Sequence, residues 1–328
     1  MKIIKSQYIN LLAITLLLIA GCKDKNQISD EAISLQDYKK ETSINTGEDT
    51  GVTIVSRGMN FELPDQIKSG WQKITYENRS GDTHFLVLEK LPAGKHIEDS
   101  EKEVVPVFVD AMNLINQGDT EKGFKKFEEL PEWFFNIKFL GGVGLVSPGH
   151  TAQTTLNLEP GNYLVECYVK MPDGTFHSAM GMLEEIEVLP AKTTTKEPQA
   201  DNIINISTEG GIVLENVPET GQQKFKVNFL DQQAYGNFVG HDVNLVRYQS
   251  VEDLKALNDW MNWVGVDSFI SPSPKNIEFL GGVQEMPEGS VAYFEADLIP
   301  GKYALVAEIP DPASNKMLAT FEIGMDKL

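Results

Sequence analysis

The sequence predicts a mostly β protein built as two related halves, each a sandwich or barrel of short strands with a helical insertion. Three observations predict it. Segments such as GVTIVSRGMNFEL, GWQKITYENRS, HFLVLEKL, TAQTTLNL and NYLVECYVKM are short, rich in β-branched and aromatic residues, and bounded by Gly, Pro and Asn turns. A five-residue string recurs: Phe139-Leu140-Gly141-Gly142-Val143 maps onto Phe279-Leu280-Gly281-Gly282-Val283 at an offset of 140, and Pro160-Gly161 maps onto Pro300-Gly301 at the same offset. Two stretches, KEVVPVFVDAMNLINQGDTEKGFKKFEELPEWF and VEDLKALNDWMNWV, instead place apolar residues at helical spacing.

Read in order, residues 1–22 form a targeting segment. Two Lys precede the apolar run LLAITLLLIA, which is too short to read as a membrane span. The string L-I-A-G-C resembles a bacterial lipobox, which implies that Cys22 is lipidated and becomes the first mature residue. Residues 23–50 are polar and read as a flexible tether. Residues 51–189 form the first globular half, 190–202 a linker containing AKTTTKEPQA, and 203–328 the second half. The expected location is the bacterial cell envelope, lipid-anchored, at the outer membrane. The membrane, reached through the lipid, is one expected partner.

The formal net charge of −20 over 328 residues argues against nucleic acid as a partner, since a polyanion is repelled and no basic patch occurs. Only two cysteines exist. With Cys22 carrying lipid, Cys167 has no intramolecular disulfide partner. An exposed lone thiol is a liability in an oxidising compartment. Cys167 is therefore buried and inert, paired between chains, or bound to metal.

Cys167 opens the string C-x9-H-x3-G-M, with His177 and Met182 following it. A turn around Pro172-Asp173-Gly174 sets Val169 opposite His177 and makes Cys167 and His177 diagonal neighbours, close enough to share one metal. Two His, one Cys and a long axial Met are the ligand set of mononuclear blue copper. His84, at the start of HFLVLEKL, is the second imidazole the set requires. Taken alone, the same hairpin also suits a Cys that acts as a small core hydrophobe. His96 and His150 sit in loop-like contexts, and His241 parallels His84 in a structural role. Trp133, Trp260 and Trp263 lie in the helical insertions and read as packing anchors. FLGGV lacks a following Lys-Ser/Thr and a βαβ context, which argues against a phosphate cradle. His177 beside Cys167 could serve as a base, yet no oxyanion element accompanies them, which argues against a cysteine nucleophile.

With these residues in hand, the chain resembles the cupredoxins, the plastocyanin- and azurin-like blue copper proteins. The resemblance covers residues 51–189 through its motifs and 203–326 at the level of fold. It implies two cupredoxin-like Greek-key β-sandwich domains, each with a helical insertion. It implies one mononuclear copper, with His84 and His177 as imidazole ligands, Cys167 as thiolate and Met182 as axial ligand. Thr83 and Phe85 stand where plastocyanin-like sequences carry Pro and Asn, and the Cys-to-His loop is longer. Ala307 occupies the Cys position of the second half, which has no His in the following segment and is read as a degenerate domain without metal ligands. The expected function is single-electron transfer or copper handling by a non-catalytic protein, with a redox or copper-handling protein as partner. The rival is a metal-free envelope scaffold.

Overall fold

The computed structural model describes residues 51–324. The targeting segment, Cys22 and the tether lie outside the described residues. The first half contains β1 (Val52–Arg57), β2 (Asn60–Glu62), β3 (Gln66–Asn78), β4 (His84–Lys90), α1 (Ile97–Glu103), α2 (Val105–Asn116), α3 (Thr120–Lys126), β5 (Lys138–Val146), β6 (Thr151–Leu158), β7 (Gly161–Glu166) and β8 (Leu183–Lys192). The second contains β9 (Asn202–Ser207), β10 (Gly211–Leu214), β11 (Gly221–Phe229), β12 (Val243–Tyr248), α4 (Val251–Trp260), β13 (Glu278–Val283), β14 (Val291–Leu298), β15 (Gly301–Val306) and β16 (Leu318–Ile323).

The strand pairing is the same in both halves. β1 pairs antiparallel with β2 and parallel with β3, as β9 does with β10 and β11. β3 pairs with β6, and β11 with β14. β4 lies between β5 and β7, and β12 between β13 and β15. This is a mostly β, cupredoxin-like sandwich with helices inserted between β4 and β5 and between β12 and β13. The two layers run on from one half into the other: β6 pairs with β14 in one layer, and β5 with β13 in the other. The stretch from 190 begins as the end of β8, where Lys192 pairs with Ser69. Further along, Glu197 accepts a hydrogen bond from Tyr293 at 2.7 Å. The described residues belong to one compact unit.

Local sequence explains the elements. In β3 the residues Ile67, Ser69, Gln72, Ile74, Tyr76 and Asn78 are buried near period two, as expected for a strand with one covered face. β4 is buried along almost its whole length, because the opposite layer covers one face and the helical insertion the other. α4 starts at Ser250, whose side chain accepts from Asp253 N while the Asp253 carboxylate accepts from Ser250 N, a reciprocal capping box. Leu257 and Trp260 face the core.

The repeated FLGGV string has a structural cause. Gly142 (φ +146°) and Gly282 (φ +140°) sit where the neighbouring strand comes closest. A Cβ on Gly142 would lie 2.0 Å from the Leu86 carbonyl oxygen, and one on Gly282 would lie 2.0 Å from that of Val243. Only glycine allows this approach. The string occupies β5 and β13, which join the halves in one of the two layers.

Candidate metal centre

Three segments bring the predicted residues together. His84 opens β4, with its backbone held opposite Val146 of β5. Its entry loop is pinned by Asn78, which donates to the carbonyls of Asp82 (2.8 Å) and Val146 (2.7 Å). Cys167 follows β7, and Cys167 N donates to Met182 O at 3.1 Å. The hairpin beyond it closes through Gly174 N to Met171 O and His177 N to Val169 O, so Val169 lies opposite His177. Met182 N returns to His177 O at 3.0 Å. One loop thus carries Cys167, His177 and Met182.

The donor atoms converge. His84 Nδ1 lies 3.0 Å from His177 Nδ1, and Cys167 Sγ lies 3.6 Å from the first and 3.9 Å from the second. A triangle with sides 3.0, 3.6 and 3.9 Å has a circumradius of about 2.1 Å. A point in its plane is therefore at metal–ligand distance, about 2.0–2.3 Å, from all three donors. The group can hold a metal ion. His84, Cys167, His177 and Met182 are all fully buried, whereas Met180 is 45% exposed.

Burial sets the protonation states. It pulls His84 down to about 3, assisted by the neighbouring His177, and pulls His177 down to about 4. Both rings are neutral at neutral pH, the form that ligates metals. Burial pushes the Cys167 thiol up to about 12. Two imidazole nitrogens and a thiol facing one another in a dry site offer more lone pairs than protons to share, an arrangement that a soft cation satisfies.

The second half reaches this centre. Ser271 Oγ lies 3.4 Å from His177 Nε2, and Ser273 Oγ lies 2.9 Å from Thr83 Oγ1, beside His84. Backbone bonds tie the same segment to the loop after Cys167: Lys170 N donates to Phe269 O (2.8 Å) and Ser271 N to Lys170 O (2.7 Å). Sequence reading missed Ser271 and Ser273, because nothing local marks a serine some ninety residues from the histidine it touches. The other histidines lie apart from the site. His96 caps α1 and contacts Glu185 at 2.9 Å, His150 lies 3.3 Å from Glu278, and the buried His241 contacts Asp231 O and Tyr235. Trp260 and Trp263 are buried anchors, and Trp133 donates to Glu103.

No protein-family model and no curated protein matches the sequence. Among solved structures, auracyanin from Roseiflexus castenholzii aligns at 20% identity and a TM-score of 0.27, covering 44% of this chain and all of that one. Auracyanin A from Chloroflexus aurantiacus, a blue copper protein, aligns at 16% identity and 0.26, covering 42% and 98%. The copper nitrite reductase of Nitrosomonas europaea aligns at 13% identity and 0.21, covering 84% and 93%. The expectation of a non-catalytic protein is corrected here. The structures that align over 84% of this chain include that reductase and a multicopper oxidase, which are enzymes. The physical reason is that a one-electron metal site serves carriers and oxidoreductases alike, so a ligand set does not exclude catalysis.

Proposed function

We propose that the first half of the chain would hold one copper ion at His84, Cys167 and His177, with the Met182 thioether as a fourth ligand, and that the protein transfers single electrons through it. The observation that carries this reading is the buried donor triangle of 3.0, 3.6 and 3.9 Å. Copper supplies a one-electron couple when bound. The residues supply the rest. Cys167 gives a thiolate once its proton leaves, the two imidazoles give neutral nitrogen donors, and full burial excludes water. Donors set within 3.0–3.9 Å of one another on a buried strand and one hydrogen-bonded hairpin need little rearrangement between redox states. This favours electron transfer over copper delivery, which requires a site that opens. A protein redox partner is part of the proposal.

The test is visible absorption. With one equivalent of Cu(II), the protein should turn blue or green through thiolate-to-copper charge transfer, and Cys167→Ser should abolish the colour while leaving the fold. A colourless parent that retains no stoichiometric copper after dialysis would sink the proposal and favour a metal-free envelope module.

The proposed setting is the bacterial envelope, with lipid on Cys22 anchoring the chain at the outer membrane. Each buried CH2 of an acyl chain contributes about 0.8 kcal/mol to membrane binding. Cys22→Ser should move the protein to the soluble envelope fraction; full retention in membranes would rule this anchor out.

A further inference from the structure

The helical insertion does more than cover β4. Between α1, α2, residues 134–139 and the sheet lies a cavity of about 290 Å³, walled on another side by Ala234, Phe238, Val239 and Trp263 of the second half. That volume is near the lower end of small-molecule pockets. Most of its lining is apolar, and Phe108, Phe134, Phe139 and Trp263 give it aromatic walls.

Three carboxylates from separate segments line it: Glu89 of β4, Glu166 of β7 and Glu285 beyond β13. Among the described lining residues none is Lys, Arg or His. Glu89 is 5% exposed and hydrogen-bonds Glu166, and Glu285 accepts from Gly240 N. Burial pushes the Glu285 carboxyl up to about 7, with Asp242 adding to the effect, and pushes Glu89 well above the carboxylate range, with Glu166 adding. A second observation is independent of the acids. Ser100 of α1 also lines the cavity, is 3% exposed, and its Oγ has no hydrogen-bond partner among the described residues. An orphaned buried hydroxyl is uncommon and calls for an occupant.

We propose that this cavity binds a small organic ammonium ion with an apolar, preferably aromatic, body. The carboxylates provide the counter-charge, the Ser100 hydroxyl is free to accept an N–H bond, and the aromatic walls attract both a ring and a cation. The raised acids keep protons while no cation is present and can ionise against an ammonium; a neutral ligand gives them no charge to ionise against, and a carboxylate ligand would add one more acid to an acidic cavity. A bare divalent cation needs an oxygen-rich shell that the apolar walls do not supply. Phe135 (67% exposed) and Phe238 (44% exposed) line the cavity and reach solvent, offering an apolar way in. Glu166, Phe176, Ser178 and Leu183 of the lining stand next to Cys167, His177 and Met182 in the chain, but the proposed ligand contacts use no metal, so the site is tested on metal-free protein.

The experiment is titration calorimetry of the intact, metal-free chain with phenethylammonium, 2-phenylethanol and phenylacetate. The expected result is one saturable site for phenethylammonium, binding at least tenfold tighter than the neutral alcohol, with no binding of phenylacetate. Glu89→Gln with Glu285→Gln should weaken the ammonium at least tenfold, the scale of a lost charge-assisted hydrogen bond. If that variant fails to fold, the comparison of the three probes on the parent decides alone. Equal binding of alcohol and ammonium, no binding of any probe at millimolar concentration, or displacement of the ammonium by Mg²⁺ or Ca²⁺ would each overturn the proposal.

Discussion

His177 is held from both ends of the chain: its backbone sits in the Cys167 hairpin, while Nε2 faces Ser271. A partner on the distal nitrogen of a ligating imidazole fixes ring orientation, and its loss costs about 10–100-fold in metal affinity. Under the proposed ligand set, Ser271→Ala should keep the colour but weaken copper about tenfold in competition with a chelator; unchanged affinity would show that the contact does not support the ligand. Glu285 gives the residue-scale pH dependence. Its folded value of about 7 lies above the roughly 4.3 of an unfolded Glu, so the native state keeps a proton that the unfolded chain releases. The associated stability is complete below about pH 4.3 and is lost as pH rises through about 7. Glu285→Gln removes this titration and retains an acceptor for Gly240. Thermal melts of metal-free protein should match the parent near pH 4.5 and exceed it at pH 8, by on the order of 3 kcal/mol. Parallel profiles would rule out a titrating Glu285. Cys167, His177 and Met182 were legible as a string because one loop carries all three. Ser271 was not, since its position arises only when two distant loops pair.

The most exacting elements are the strands that carry FLGGV. At Gly142 the obstacle to a side chain is backbone, the Leu86 carbonyl, so nothing flexible can yield. Gly142→Ala should therefore destabilise by more than about 2 kcal/mol in urea unfolding, combining strain at positive φ with displacement of β4. A change below about 0.5 kcal/mol would mean that β4 shifts freely. Because β4 begins at His84, the same variant should also broaden the copper absorption band. The sequence showed that these glycines matter, through their recurrence at one spacing. It did not show why, because a close backbone approach leaves no trace in the neighbouring residues.

At the scale of the whole molecule, the halves share both layers through β5–β13 and β6–β14. Expressed alone, residues 51–189 would bare the edges of β5 and β6 and lose Ser271 and Ser273. Unpaired strand edges template association. The fragment should elute as oligomers or aggregate in size-exclusion chromatography, and should bind copper more weakly than the intact chain. A monomeric fragment with full affinity would show that the second half is dispensable to the site. Separate binding by the first half is the natural expectation from sequence, where the two copies read as consecutive blocks.

The sequence alone determined what depends on composition and local order. Alternating apolar residues specified strands, the recurrence at 140 positions indicated related halves, and the Cys-His-Met string marked one loop as a candidate metal centre, because each signal lies within a few residues or at one fixed spacing. Tertiary structure alone decided what depends on closure between distant segments. It brought His84 to within 3.0 Å of His177, laid the second half against the centre, and enclosed three carboxylates in an aromatic cavity. Such contacts arise from how two layers stack and join. Stacking sums many weak apolar contacts over the whole chain, and no single stretch of residues encodes that sum.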